Sequence, residues 1–346
     1  MLSSALDARA FSACTVEVGH GSGPVWQRAY GRTSFDPDAA PCTLDTVFDL
    51  ASLTKVVATT ALAMRHAARG TLPLDARVVN RLSNWRDLGA DAAFADRARM
   101  TVRQLLDHSA GYPAHLDLWE YARGRDAIEL AIRDTPLAHP PGTTAVYSDL
   151  GFMLLGFLLE DAGQAPLDRQ IAAMPEVIAP GIVFTPPATW RPRTAATEID
   201  RVTGQSLVGV VHDENARALG GVAGHAGLFG TAPDVGAHAR LVLRTFRQDT
   251  PLGRPQQMRE FARQSQLAGS SRALGWDTMR PTSSCGSKFS PTSIGHTGFT
   301  GTSLWIDWER DRYVVLLTNR VHPTRENDAL VKLRPRVHDA IADAFV

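Results

Sequence analysis

Residues 48–70 read FDLASLTKVVATTALAMRHAARG, a stretch whose apolar side chains recur around most of the circumference of a helical wheel. Such a distribution marks a helix buried on all sides rather than an amphipathic surface helix. His66 and Arg69 occupy the last turn and Gly70 follows, the usual signals of a helix C-terminus. A helix is therefore predicted from near Ser52. Positions i and i+3 share a helix face, so Lys55 Nζ reaches Ser52 Oγ, while the helix start offers Ser52 a free backbone N–H and the positive end of the dipole. One turn thus holds a nucleophile, a candidate base and half of an oxyanion hole. A surface helix with an incidental Ser/Lys pair would show the same spacing. The rarity of lysine argues against accident: of 36 basic residues only Lys55, Lys288 and Lys332 are lysines. A guanidinium does not release its proton at workable pH, so a chain rich in Arg that keeps a Lys in a buried helix has a use for an amine.

Outward from this helix, strand signals lie at both ends of the chain and helices in the middle. A short helix over residues 3–11 precedes ACTVEVG and VWQRAYG, which alternate and are joined by the turn HGSGP, as in a hairpin. TVRQLLDH (101–108), DAIELAIRD (126–134) and SDLGFMLLGFLLEDAG (148–163) read as helices in a loop-rich middle, and DVGAHARLVLRTF (234–246) as another. SIGHTGFTGTSLWIDWERDRYVVLLTNRV (293–321) reads as strands joined at the polar turn DWERD, and LVKLRPRVHDAIADAFV (330–346) as a closing amphipathic helix. The expected organisation is an α/β layer of residues 1–75 and 231–346, with a mainly helical domain, 76–230, inserted between them.

Composition narrows the function classes. The chain has 346 residues, enough for two structural units, and 36 Lys plus Arg balance 36 Asp plus Glu. With no net basic field there is no footing for a phosphate backbone, so nucleic acid is not expected as a partner. No apolar run approaches the roughly 18 residues that a membrane span needs. The first twenty residues lack a basic start and a continuous apolar stretch, so no export signal is read and a cytoplasmic location is expected. Cys14, Cys42 and Cys285 are too scattered for a zinc knuckle and fit reduced thiols.

Two further stations come after the Ser-Leu-Thr-Lys turn: Tyr147-Ser148-Asp149, after a Pro-Gly turn and before an apolar helix, and His296-Thr297-Gly298 on a strand-like segment. In this order they resemble the serine β-lactamase and penicillin-binding-protein superfamily, whose Ser-x-x-Lys, Ser/Tyr-x-Asn and Lys/His-Thr-Gly elements line one cleft. Tyr147 at the second station, with LLDHSAGYP (105–113), Pro140-Pro141-Gly142 and GLFGTAPDV (227–235), is similar to the branch containing class C β-lactamases, DD-peptidases, D-aminopeptidases and esterases. The resemblance implies a β-lactamase/transpeptidase-like α+β fold, an antiparallel sheet flanked by helices. It also implies Ser52 as the acylated nucleophile, Lys55 as proton relay and Tyr147 as general base or acid. Ser52 and Phe299 would supply the oxyanion-hole N–H groups, and His296, Thr297 and Gly298 would face the substrate. No metal or cofactor is implied.

This sequence departs from the pattern twice. His296 replaces the commoner lysine, so the charge there is expected to follow pH. Asp149 stands where an amide would help to hold an acylamido carbonyl, and a carboxylate offers acceptors only. It should disfavour acylamido β-lactams and favour a protonated Lys55, leaving Tyr147 the larger share of the base role. Other polar clusters read as structure. His212-Asp213-Glu214-Asn215 with His225 matches no metal spacing and reads as a loop wired by hydrogen bonds, His108 as a loop support, VHPTREN (321–327) as a solvated or packing edge, and Trp276, Trp305 and Trp308 as core. The expected function is hydrolysis, through an acyl-serine, of small esters or short peptides bearing D-amino acids. Weak β-lactamase or DD-carboxypeptidase activity is the alternative within the superfamily. A sensor or scaffold that acylates without turnover is the alternative outside enzymes. The expected partner is a small-molecule substrate, and the oligomeric state is left open.

Overall fold

In the computed structural model, residues 1–85, 94–200 and 203–345 are described. The strands in chain order are β1 (Ala13–His20), β2 (Gly23–Gly31), β3 (Phe48–Asp49), β4 (Val183–Phe184), β5 (Leu228–Gly230), β6 (Asp277–Thr278), β7 (Ile294–Thr297), β8 (Ser303–Asp307) and β9 (Arg312–Thr318). The helices are α1 (Leu2–Asp7), α2 (Thr60–Arg69), α3 (Val102–Leu106), α4 (Gly124–Asp134), α5 (Asp149–Gly163), α6 (Leu167–Ala172), α7 (Glu214–Ala218), α8 (Ala232–Thr245), α9 (Pro255–Ala262) and α10 (Ala329–Ala344).

The two ends of the chain build one six-stranded sheet in the order β2-β1-β9-β8-β7-β6, antiparallel throughout. The first and last thirds of the chain meet in the pairing of β1 with β9, from Cys14 opposite Thr318 to Gly19 opposite Tyr313. Alternation sorts the side chains into two layers. Cys14, Val16, Val18, Trp305, Val314 and Leu316 face α1 and α10 and pack on Leu2, Leu330, Val337 and Ile341. Leu304, Ile306, Val315 and Leu317 face the other way into the main core, where α8 lies across β1 and β9. Covering both faces explains why β8 and β9 are buried at every residue and read as continuous apolar runs.

Helix α5 anchors the rest. Every residue from Leu150 to Leu159 is buried, and the helix packs against α2, α3 and α4. At about 1.5–3 kcal/mol for each large apolar side chain taken out of water, this helix is a principal source of stability. It also sets the position of the chain at Gly224: a Cβ there would lie 2.2 Å from Phe152 O, so only glycine allows that backbone to rest on α5.

The antiparallel sheet flanked by helices agrees with the expected fold. The helix at 48–70 differs in its first turn. Lys55–Thr59 is a π-helical turn before α2, because Lys55 O accepts from both the N–H and the hydroxyl of Thr60. Its end is as read, with Gly70 left-handed (φ 72°) and donating to Ala67 O. The opening helix stops at Asp7 rather than residue 11, and Val346, the last residue of the closing helical reading, lies outside the described residues.

Candidate active site

Between β3 and the π-turn the chain reverses at Ala51, a non-glycine residue with φ 47°. Such a conformation costs of order 1–2 kcal/mol and persists where its surroundings fix it. Here buried Asp49 does so: its carboxylate accepts the N–H of Ala51 at 2.8 Å and of His212 at 2.7 Å. Thr300 and Thr302 add hydroxyl bonds to Asp49 O (2.7 Å) and Leu50 O (3.0 Å). The reversal presents Ser52 at the mouth of a cavity of about 570 Å³. Tyr147, Asp149, His296, Thr297, Gly298 and Phe299 line the same cavity. Gly298 permits this: a Cβ on it would stand 2.6 Å from Leu50 O and 3.2 Å from Ala51 Cβ, so the end of β7 lies directly on the turn that carries Ser52. Among the described residues, neither the Ser52 nor the Phe299 N–H donates to any acceptor in the chain.

Lys55 is fully buried, and its ammonium uses all three donors: Ser52 Oγ at 2.9 Å, Asp149 Oδ1 at 2.7 Å and His225 O at 3.0 Å. The His225 carbonyl is there because of the glycine-enforced contact of residue 224 with α5. Burial alone would lower the lysine's pKa, but the Asp149 carboxylate reverses that and leaves it raised. Burial would likewise raise Asp149, and Lys55 and His115 together hold it well below the usual carboxylate range. His115 Nδ1 lies 3.3 Å from Asp149 Oδ2, and that contact lifts the imidazole to about 9. Tyr147 OH donates to Ser52 Oγ at 2.8 Å; burial raises its pKa, with Lys55 pulling against it. His108, left-handed at φ 60°, accepts the Ser148 N–H on Nδ1 (3.0 Å) and packs with its ring tilted against that of Tyr147, centroids 4.7 Å apart, the supporting role expected of it.

Two expectations are corrected. The charge at His296 does not follow physiological pH: burial, with Arg272 and Lys55 adding to it, lowers the imidazole to about 3, so the ring is neutral. Its Nδ1 lies 2.8 Å from Thr297 O, and Nε2 is enclosed with no partner among the described residues. The segment 321–327 is not only an edge, since Arg325 lines the cavity. Asp149 lines the cavity too, and its two oxygens are engaged by Lys55 and His115, so it is a counter-ion to both.

The polar loop at 212–215 is wired as read. His212 Nε2 meets Glu198 at 3.0 Å, Asp213 caps α7 and pairs with His225 at 2.8 Å, and Asn215 holds Trp119 N and Leu116 O. The three cysteines are buried and free. Among the described residues, no helix is long and apolar enough to cross a membrane. Cavity residues not found from the sequence include His115, Arg272, Arg320, Arg325 and Arg334. Arg334 carried a signal: it falls on the apolar stripe Leu330, Val337 and Ile341 of α10, where a charge breaks the pattern.

The fold and this cleft are those of a serine hydrolase. The chain belongs to the Beta-lactamase family, whose model matches residues 2–336. It is 32% identical over 313 residues to an Escherichia coli (strain K12) protein named "Putative D-alanyl-D-alanine carboxypeptidase", covering 81% of this chain and 70% of that protein. A class C beta lactamase from Rhodobacter sphaeroides superposes with a TM-score of 0.75 at 20% identity, over 97% of each chain. EstCE1, a hydrolase with promiscuous acyltransferase activity, superposes with a TM-score of 0.70 at 20% identity, over 94% of this chain and 95% of its own.

Proposed function

We propose that the protein hydrolyses small esters or short peptides bearing D-amino acids through an acyl-serine at Ser52. The observation that carries this reading is the double engagement of Ser52 Oγ, 2.9 Å from the buried Lys55 ammonium and 2.8 Å from the Tyr147 hydroxyl. The substrate carbonyl enters with its oxygen toward the N–H groups of Ser52 and Phe299. Lys55, kept charged by Asp149, polarises Ser52 rather than accepting its proton. Tyr147, whose raised pKa keeps it a neutral phenol at rest, works as a relay. The two hydroxyl protons rotate, the Ser52 proton passes to Tyr147 Oη as Oγ attacks, and the tyrosine's own proton goes to the leaving alkoxide or amine. In the second half a water gives its proton to Tyr147, attacks the acyl carbon, and the tyrosine returns a proton to Ser52. No resting phenolate is needed.

The name of the Escherichia coli relative supports peptide substrates, and that of EstCE1 supports esters. Engagement of Asp149 by Lys55 and His115 leaves no amide donor there, which ranks acylamido β-lactams below both. A non-turnover sensor would have no need of Tyr147 on the serine hydroxyl. The test is mass spectrometry after a serine-reactive phosphonate, then turnover of ester, D-alanyl amide and cephalosporin substrates. One adduct, on Ser52 and absent from Ser52→Ala, is expected. Undiminished labelling of that variant would remove Ser52 from the mechanism, and labelling without turnover on the whole panel would favour the sensor.

A further inference from the structure

The two N–H groups offered to the substrate carbonyl come from elements far apart in the chain: that of Ser52 from the turn after β3, that of Phe299 from the turn after β7. Such donors act only at a fixed separation, because a misplacement of about 1 Å can cost roughly 10²-fold in rate. Phe299 and Thr300 are the central residues of a turn closed by the Gly301 N–H on Gly298 O at 3.0 Å. One buried residue reaches the neighbours of both donors. Asp49, 2% exposed, accepts the Ala51 N–H on one carboxylate oxygen (2.8 Å), beside Ser52. Its backbone carbonyl accepts the Thr300 hydroxyl (2.7 Å), beside Phe299. Its other carboxylate oxygen accepts the His212 N–H (2.7 Å), and the His212 ring stacks on the Phe299 ring with centroids 5.7 Å apart.

A carboxylate is a demanding choice at this position. Among the described residues Asp49 is in no ion pair, and burial raises its pKa, with the His212 and Ala51 N–H groups pulling against it. What it supplies is two acceptor oxygens for two backbone donors that arrive from different elements. An amide of the same shape would turn an NH₂ group onto one of those donors. The strain at Ala51 does not by itself call for a carboxylate, since glycine adopts φ 47° freely, and the bond to His212 lies outside that strain. A buried charge that stability alone does not require points to function. We propose that Asp49 is a positioning residue that ties the Ser52 turn, the Phe299 turn and the loop at His212 into one rigid oxyanion site. Its effect is on the rate, through the two N–H donors, rather than on folding through Ala51. This rests on the acyl-serine reading of the cavity.

The test takes 4-nitrophenyl butyrate as substrate and phenylboronic acid as a mimic of the tetrahedral intermediate. Asp49→Asn should cut kcat roughly 10- to 100-fold with KM within about threefold, and should weaken the boronate by the same factor as kcat/KM. Adding Ala51→Gly to that variant should raise Tm again and leave kcat low. Thr300→Val removes one hydroxyl bond and no charge; it should lower kcat in the same direction, by roughly 3- to 10-fold, and Thr300→Ser should restore it. The Thr300 pair decides the matter if Asp49→Asn does not fold. Phosphonate labelling of Ser52 should slow in parallel with kcat/KM, and it carries the test if the ester is a poor substrate. Recovery of kcat by Ala51→Gly, a loss confined to KM with boronate affinity intact, or wild-type kinetics in Thr300→Val would overturn the role of Asp49. A wild type that is labelled at Ser52 beside variants labelled equally fast would remove that role alone. A wild type that is neither labelled nor active would remove the acyl-serine reading and the role of Asp49 with it.

Discussion

Lys55 Nζ is closer to Asp149 Oδ1 (2.7 Å) than to Ser52 Oγ (2.9 Å). The lysine is bound first to its carboxylate and second to the nucleophile. A lysine meant to take the serine proton must be neutral at rest, and a carboxylate at this distance opposes that state. The proposed mechanism therefore assigns electrostatic support to Lys55 and proton transfer to Tyr147.

Breaking the pair on one side should be costly. Lys55→Met leaves the Asp149 carboxylate without its buried partner and should lower stability by about 3–5 kcal/mol. Lys55→Met/Asp149→Asn should recover a large part of that loss, since an amide tolerates the absence of a cation. Urea unfolding of the two single variants and the double gives the coupling energy. Losses that simply add would mean that the ion pair contributes nothing as a pair.

Tyr147→Phe keeps the ring against His108 and removes the relay. Its kcat/KM for a simple ester should fall by roughly 10²–10⁴, the range for loss of a positioned acid-base group, with phosphonate labelling of Ser52 slowed in parallel. A variant within a few-fold of wild type would return the base role to Lys55.

Asp149→Asn separates the same two assignments through pH. Without the carboxylate, burial dominates at Lys55 and its pKa falls. If the charged lysine is the working form, the alkaline limb of kcat/KM moves to lower pH. The profile is best measured in a His115→Asn background, so that the imidazole does not titrate in the same window. Activity that instead rises with pH in the Asp149→Asn protein would identify neutral Lys55 as the base.

His115 links stability to pH through a half-exposed contact. Its pKa is about 9 in the folded chain because of Asp149, above the ordinary 6.5, so the folded state binds the proton more tightly than the unfolded. The contribution is complete below about pH 6.5 and is lost as pH climbs through about 9. The unfolding free energy of the wild type should accordingly decline over that interval more steeply than that of His115→Asn. Parallel curves for the two proteins would show that the contact with Asp149 is too solvated to matter.

Gly298→Ala places a methyl group against the backbone of the turn that carries Ser52. Overpacking of this kind typically costs about 1–3 kcal/mol, and here the strain falls on Thr302 Oγ1 and Leu50 O, displacing the turn and the β7 end that carry the two proposed oxyanion N–H groups. Loss of kcat/KM should exceed roughly tenfold while KM changes little. Wild-type kinetics would mean that β7 shifts freely and does not set the oxyanion site.

Ser52 and Lys55 stand out as a serine one turn from one of three lysines on a buried helix, whereas Tyr147 and His296 are singled out by the resemblance of their stations to a known family, since neither short pattern is informative by itself. The sheet was legible from local patterns, as its strands alternate or run apolar over five to nine residues in β1, β2, β8 and β9. Strands β3, β4 and β6 have two residues each, too few for any periodicity, and β3 and β4 arise from pairing with β5, far along the chain. The contribution of His225 is a backbone carbonyl, to which no side-chain pattern points. The neutrality of His296 comes from its burial beside Arg272 and Lys55, which a sequence position does not reveal. Arg320 and Arg325 enter the cavity by the path of a loop after β9, whereas Arg334 was visible as a charge on an apolar stripe.

The pairing of β1 with β9 has a consequence for biosynthesis. Cys14 and Thr318 are neighbours in space and nearly the whole chain apart in sequence, so the sheet that carries the third station closes only when the last strands have left the ribosome. Until then the hairpin of β1 and β2 has an unpaired edge, and Ser52 and Lys55, made early, have no Phe299 N–H opposite them. A nascent chain therefore carries Ser52 and Lys55 before the strand end that lies against their turn exists. A chain cut short before Phe299 would forfeit the strand beside β1 and the residue proposed to complete the oxyanion site together, so that damage to the fold and to the site arrive in one event.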